Sequence, residues 1–262
     1  MANLHLLLLI GGTGLLGGFL SGLLGIGGGI VLTPLLLYLP PLFDLSVLSI
    51  RTVAGLTTVQ GVLGSFVGAV THRKFRFLSV KLATYMGSTI FLAAFLGGAS
   101  SRYVPARLLL GVFAFLALAA GVLIFLPKKE DPETPNVEGL TFSRPRAVGS
   151  ALTIGIFGGM VGQGGSFILI PLMTSFVQIP TRIAIATNLA IVFLSSVAVL
   201  LGKTLTGQIE WTLTIPLLLT VIPAARLGSL ASRRLPVAVL RKILAATILL
   251  AAIRIAVAAF GR

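Results

Sequence analysis

Two glycine-rich motifs offer the clearest chemistry in this chain. They read GIGGGIVLTP at residues 25–34 and GQGGSFILIP at residues 162–171. Glycine in a helix interior costs about 1 kcal/mol relative to alanine, so clustered glycines inside apolar runs indicate helix breaks. A helix that resumes after a break presents backbone N–H groups and a positive dipole end, which suit an anion. The motifs therefore predict two anion-binding breaks, with close helix packing as the alternative use of the glycines.

Further polar residues lie where they could help to hold an anion. Arg51 and Arg182 begin the apolar segments that follow the motifs, and are interpreted as anion attractors or as interfacial anchors. Thr57 and Asn188, inside those segments, are interpreted as hydrogen-bond donors to an oxyanion or to a neighbouring helix. The predicted substrate-binding residues are Gly27, Gly28, Gly29, Gln163, Gly164, Gly165, Ser166, Thr57, Asn188, Arg51 and Arg182. The residues predicted to shape the breaks are Gly25, Gly162, Pro34 and Pro171.

Other chemistries lack the residues that they need. The chain has no cysteine, and its two histidines are isolated, so disulfides, thiolate chemistry, a metal site and a cofactor are not expected. Four of the six acidic residues lie within residues 130–138, and neither of the others lies inside an apolar segment. Carboxylate proton relays and paired catalytic acids are therefore unsupported, and we do not expect an enzyme.

The elements that position these residues are predicted to be membrane-spanning helices. Of the 262 residues, 56% are hydrophobic and 10% are charged, against roughly 25% charged in soluble domains. The apolar segments are 4–39, 47–70, 77–98, 105–126, 147–179, 183–202, 211–231 and 236–260. They do not alternate as the strands of a β-barrel would. The basic residues cap the segments, which favours membrane topology over nucleic-acid binding as the reason for a net charge of +14.

The chain contains an internal duplication. An offset of 137 aligns Gly25 with Gly162 and Pro34 with Pro171, and an offset of 131 aligns Arg51 with Arg182. We call residues paired by these offsets equivalent. The predicted organisation is an N-terminal transmembrane repeat over 1–126, a polar cytoplasmic linker over 127–146 and a C-terminal repeat over 147–262.

Charge distribution predicts the orientation of the two repeats. If every segment crossed once, nine Lys and Arg residues would lie inside and eight outside. The first segment of each repeat is longer than one crossing requires. If this segment instead returns as a hairpin broken at its glycines in each repeat, twelve of these Lys and Arg residues lie inside and five lie outside. The positive-inside rule therefore favours an all-α, inverted-topology repeat of about ten helices, with both termini outside.

The motifs resemble those of the TauE/SafE family of sulfite exporters. The likeness lies in GLLGIGGGIVLTPLL, in its repeat GMVGQGGSFILIPLM, and in the later runs Gly55–Thr58 and Ala186–Leu189. It implies a multi-pass transporter in a bacterial or archaeal cytoplasmic membrane. The substrate would be sulfite, thiosulfate or a sulfonate, held between the two breaks near the midplane. An anion channel and a transporter of another small anion remain alternatives, and the oligomeric state, including a homo-oligomer, stays open.

Overall fold

A computed structural model describes residues 2–74, 76–126, 135–162 and 165–260 of the chain. Within this part the regular structure is entirely helical. Its helices are α1 (Ala2–Leu24), α2 (Gly29–Tyr38), α3 (Ile50–Arg73), α4 (Val80–Ser100), α5 (Ala106–Phe125), α6 (Arg144–Met160), α7 (Ser166–Pro171), α8 (Thr181–Leu205), α9 (Trp211–Arg234) and α10 (Val237–Phe260). Short 3-10 turns cover Pro40–Phe43 and Ser101–Tyr103, and a π-helical turn, Leu172–Phe176, continues α7.

The helices are those of a multi-pass membrane protein, as the composition predicts. Six of them are long and apolar enough to cross a bilayer: α1, α3, α4, α5, α8 and α9. Large apolar side chains face outwards, such as Leu92 at 68% and Phe115 at 70% exposure. A lipid hydrocarbon core of about 30 Å accommodates such a surface, since it does not have to be shielded from water.

Sequence explains where several helices begin. Ser49 and Ser79 cap α3 and α4, because their hydroxyl oxygens accept hydrogen bonds from the backbone N–H groups of Thr52 and Leu82. Pro105 and Pro180 stand immediately before α5 and α8, where the fixed proline φ and missing N–H are tolerated.

Each long apolar segment is divided at its glycine motif, as predicted. The first segment turns back as a hairpin: Gly28, just before α2, contacts Gly17 of α1, and the turn after α2 lies beside the start of α1. Residues from both arms, including His5 and Phe43, line one groove. The hairpin of α6 and α7 has the same form, with Gly165 against Ile154, the residue equivalent to Gly17.

Helices α3 and α8 form an antiparallel pair at the centre. Gly61 contacts Ser196 near the middle of the pair, and Gly68 contacts Leu189 closer to the end of α3. We call the end of the molecule at which α1 and α3 begin the N-terminal end. The end at which α5 stops and α8 begins is the linker end.

Contacts across the molecule recur at equivalent positions. Helix α1 packs against α9 as α6 packs against α4, and α4 against α8 as α9 against α3. The matching contacts are Gly22–Ala225 and Gly159–Ala94, Gly25–Ile185 and Gly162–Ala54, Gly228–Phe19 and Gly97–Ile156. An inverted relation of the two repeats remains a prediction, which these contacts and the antiparallel α3 and α8 support.

Candidate functional site at the two helix breaks

The first break separates α1 from α2 and is formed by glycines in the left-handed region. Gly25, Gly27 and Gly28 have φ values of 72°, 67° and 78°. A Cβ atom at Gly28 would overlap both the carbonyl oxygen of Gly17 and the side-chain amide of Gln60. Only glycine combines this conformation with this close approach, so the motif is required where the hairpin turns. Gly29 is buried as the first residue of α2.

The second break separates α6 from α7 and repeats this geometry. Gly162 and Gly165 have φ values of 95° and 68°. Gly162 packs on the carbonyl of Ala54, as its equivalent Gly25 packs on that of Ile185. Two predicted site residues of this motif, Gln163 and Gly164, lie outside the described residues.

The two breaks touch each other in the interior. The Oγ of Ser166 donates a hydrogen bond of 2.6 Å to the backbone oxygen of Ile26. The Nδ2 of Asn188 donates to the backbone oxygens of Gly25, at 2.6 Å, and Ser166, at 3.0 Å. One fully buried amide from α8 therefore joins the end of α1 to the start of α7. The structure thus brings together Asn188, Ser166 and the first glycine motif.

The threonine run of α3 faces the second break. Thr58, which sequence reasoning passed over, has its Oγ1 2.6 Å from the backbone oxygen of Gly162 and 2.7 Å from that of Ala54. Its predicted neighbour Thr57 is fully buried and donates to Ala54 at 3.1 Å, within its own helix. Thr58 of the first repeat therefore contacts Gly162, the first glycine of the second motif, and Asn188 of the second repeat contacts Gly25, the first glycine of the first motif.

The prolines lie in the returning arms, as their spacing predicts. Pro34 is buried inside α2, and Pro171 is buried at the end of α7. The backbone changes to the π-helical turn Leu172–Phe176 directly after Pro171. Because proline removes one intrahelical hydrogen bond, it accounts for a change of helix type at this point.

The interior also holds polar side chains that sequence reasoning did not select. Gln60 is fully buried on α3, and neither its Oε1 nor its Nε2 has a hydrogen-bond partner among the residues that the structure describes. Three further buried groups have no hydrogen-bond partner in the described part of the chain: the hydroxyls of Ser21 and Ser196 and the Oδ1 of Asn188. Ser21 lies against Gly64 and Ser196 lies against Gly61. Both glycines belong to α3, as Gln60 does, so the three polar side chains lie along this helix. The sequence signal that could have selected Gln60 is a polar amide inside an apolar segment. The repeat did not draw attention to it, because its equivalent in the second repeat is the apolar Ile191.

Arg51 and Arg182 lie at opposite ends of the α3 and α8 pair, three residues before Ala54 and Ile185, which pack on the break glycines Gly162 and Gly25. Arg51 donates from one terminal nitrogen to the backbone oxygen of Val104 at 3.0 Å. Arg182 makes the equivalent bond to Leu235, also at 3.0 Å. Each guanidinium therefore bonds to the connection that precedes α5 or α10, and the predicted role of both residues in substrate binding stays a prediction.

Comparisons with known proteins agree on a transport family. The family model described as "Sulfite exporter TauE/SafE" matches residues 10–255. A "Probable membrane transporter protein" of Xylella fastidiosa (strain Temecula1) is 26% identical over 224 residues, which cover 86% of this chain and 84% of that protein. The "Probable membrane transporter protein YunE" of Bacillus subtilis is 23% identical over 239 residues, covering 85% of this chain and 87% of that protein. The "Probable membrane transporter protein YjnA" of the same species is 26% identical over 253 residues, covering 92% and 96%. No solved structure matches the chain.

Proposed function

Because the chain belongs to the sulfite exporter TauE/SafE family of membrane transporters, we propose that it exports small sulfur-containing anions, of the sulfite or organosulfonate class, across a bacterial or archaeal cytoplasmic membrane. The anion binds in the interior, beside the two glycine breaks and between α3 and α8. Asn188, Ser166 and the glycine motifs build the walls of this site, and Gln60 and Ser196 supply donors to the anion.

The observation that carries this proposal is the buried, unpartnered amide of Gln60. Leaving such a group without a hydrogen bond costs roughly 1–3 kcal/mol, so a side chain used only for packing would be apolar here. Its N–H donors, with the hydroxyls of Ser196 and Ser21, suit the oxygens of a sulfite or sulfonate group. Amides inside membrane helices commonly hydrogen-bond to a neighbouring helix, and because Gln60 makes no such bond to a described residue, a substrate is the partner we propose.

The described conformation is occluded. Thr57, Ser166 and Asn188 are fully buried, and the breaks are in direct contact. Transport therefore requires each hairpin to move away in turn from the central pair, which is alternating access around a fixed site. The membrane potential drives an anion outwards at about 2.3 kcal/mol per charge for each 100 mV. Since the sequence places no Asp or Glu inside an apolar segment, we expect no dependence on a proton gradient.

Reconstituted flux tests the proposal. Proteoliposomes with an imposed potential and no proton gradient should transport at least one of sulfite, thiosulfate and C2–C3 sulfonates, in a saturable manner. Gln60→Leu should abolish that flux while keeping or raising the melting temperature, since it removes an unpaired buried amide. The matched control is Ser65→Ala, which removes a hydroxyl bonded within the same helix to the carbonyl of Gly61. Absence of saturable flux, or a Gln60→Leu variant that transports like the wild type, would overturn the proposal.

A further inference from the structure

The buried amide of Gln60 offers an acceptor as well as donors. Neither its Oε1 nor its Nε2 has a hydrogen-bond partner among the described residues. The Nε2 can donate two hydrogen bonds, whereas the Oε1 can only accept them. A fully ionised oxyanion presents only accepting oxygens, so it satisfies the Nε2 and leaves the Oε1 unpaired at a cost. A substrate that satisfies the whole amide must therefore bring a donor of its own.

Two hydroxyls lie beside this amide on the same side of α3. Ser21 of α1 lies against Gly64, and Ser196 of α8 lies against Gly61. At about 100° and 1.5 Å per residue, positions 60, 61 and 64 share a sector of about 100° and a length of about 6 Å. Neither hydroxyl has a hydrogen-bond partner in the part of the chain that the structure describes. The three polar side chains therefore border one small region beside α3.

This region reaches the first glycine break. The side-chain amide of Gln60 lies against Gly28. On α8, Asn188 and Ser196 are eight residues apart on one face, and Asn188 donates to the backbone oxygen of Gly25 at 2.6 Å. The Oδ1 of Asn188 is a second buried acceptor without a partner in the described ranges. The wall of the proposed site therefore holds acceptors at two places in addition to its donors.

The helices that border the region are uncharged along their middle parts. The sequence has no Lys, Arg, Asp or Glu at residues 6–43, 52–72 or 183–202. Along α3, Gln60 is about 13 Å from Arg51, and along α8, Ser196 is about 10 Å from Lys203, both cations at the N-terminal end. The cost of removing an ion from water rises with the square of its charge, and these stretches supply no Lys or Arg to offset it. The region therefore favours a singly charged anion over a doubly charged one.

On the basis of the proposed function, we propose that the central site binds its substrate as a singly charged oxyanion that carries its own hydrogen-bond donor. For sulfite this species is hydrogensulfite. Its O–H donates to the Oε1 of Gln60, and its other oxygens accept from the Nε2 and from the hydroxyls of Ser21 and Ser196. Among sulfonates, the fitting ones carry a hydroxyl close to the sulfonate group. The sulfite dianion and sulfate have two charges and no donor, and the site rejects them.

The proton crosses the membrane on the substrate. Each hydrogensulfite carries one proton and moves one net negative charge, so no carboxylate has to relay a proton through the protein. The membrane potential then acts on one charge for each anion transported. Sulfite flux should follow the concentration of hydrogensulfite, whereas a sulfonate that is ionised at every working pH should not respond to pH.

The pH dependence of sulfite flux in proteoliposomes tests this inference, with equal pH on both sides and a fixed potential. Hydrogensulfite loses its proton close to neutral pH, so KM for total sulfite should rise roughly five- to tenfold from about pH 6 to about pH 8. The inhibition constant of 2-hydroxyethanesulfonate against this flux should stay within twofold, because its charge is fixed over that range. An unchanged KM for total sulfite, or an equal change in both constants, would overturn the proposal.

Competition at about pH 6 separates the donor from the charge. The inhibitor 2-hydroxyethanesulfonate should bind at least fivefold more tightly than ethanesulfonate, which has the same charge and no donor. Sulfate should inhibit more weakly than either sulfonate. Equal inhibition by the two sulfonates, or stronger inhibition by sulfate, contradicts the proposal. A protein without saturable flux of any of these anions or of thiosulfate refutes the proposed function, whereas saturable flux without these preferences refutes only the form of the substrate.

A substitution at Gln60 provides an independent check. Gln60→Lys replaces an amide that accepts by an ammonium group that only donates, so sulfate should inhibit this variant at least as well as ethanesulfonate does. Ser65→Ala leaves the amide in place and should keep the wild-type order of inhibitors. A Gln60→Lys variant that folds and keeps the wild-type order counts against the proposal. If this variant does not fold, judged by its melting temperature in detergent, the pH and competition measurements on the wild type decide.

Discussion

Asn188 provides the sharpest test of how the two breaks are held together. Its Nδ2 donates to the backbone oxygens of Gly25 and Ser166, at 2.6 and 3.0 Å, in a fully buried position. Asn188→Leu keeps a similar volume and removes both donors. Hydrogen bonds inside membrane proteins are worth about 0.6–1.7 kcal/mol each, so losing two should destabilise the closed arrangement by roughly 1–3 kcal/mol.

Two assays measure the effect of losing the two hydrogen bonds of Asn188. The melting temperature in detergent should fall by roughly 2–12 °C, at about 2–4 °C per kcal/mol for a chain of this size class. Sulfite flux in proteoliposomes should fall by about 5–150-fold if the aligned breaks are required for transport, since 1.4 kcal/mol corresponds to a factor of about ten.

Ser195→Ala is the matched control for Asn188→Leu. Ser195 is also fully buried on α8, but its hydroxyl donates to Val192 in its own helix at 3.1 Å. Because this hydroxyl donates only within its own helix, its removal breaks no bond between helices. The melting temperature and the sulfite flux of Ser195→Ala should therefore stay near those of the wild type. If Asn188→Leu melts and transports like Ser195→Ala, the bridge across the breaks does not stabilise this arrangement.

Two further predictions address packing and topology. Gly28→Ala should lower the melting temperature strongly, because the added Cβ would overlap neighbouring backbone and the residue has a positive φ. The control Gly12→Ala in α1 has open space around it and should be neutral or slightly stabilising. Equal melting temperatures of the two variants would contradict the role given to Gly28 at the break. Single cysteines at Lys74 and Arg234, introduced into a chain with none of its own, should both react with an impermeant maleimide from the cytoplasmic side, and labelling from opposite faces would exclude the predicted inverted repeat.

Much of the helical framework follows from local features of the sequence. The breaks at Gly25–Gly28 and at Gly162 were predictable because clustered glycines are costly in a helix and the long segments exceed one bilayer crossing. Their equivalence was visible because identical residue types recur at a fixed offset. Such signals depend only on neighbours in sequence or on the repeat.

The pairing within the site depends on contacts that sequence does not encode locally. Asn188 was selected as polar, but its acceptors are backbone oxygens of residues 163 and 22 positions away along the chain. Gln60 escaped selection because its equivalent is Ile191, and its unpaired state appears only once the surrounding helices are in place. Lys203 directly follows the apolar segment 183–202, and its complete burial appears only once the helices are packed.

The two repeats match each other at their ends and differ at the centre, and this division fits the proposed path. Basic residues at the ends of the central helices are paired, as Arg51 is with Arg182, whereas the proposed central donor Gln60 has the apolar equivalent Ile191. If the repeats are inverted, the same anion must enter or leave at both membrane faces, and similar basic residues at each face can attract it. A single anion at the centre meets both repeats at once, and one set of donors is sufficient to bind it. Under the proposed function we therefore expect selectivity to depend on Gln60 and its neighbours, and attraction of the anion to depend on the basic residues at the helix ends.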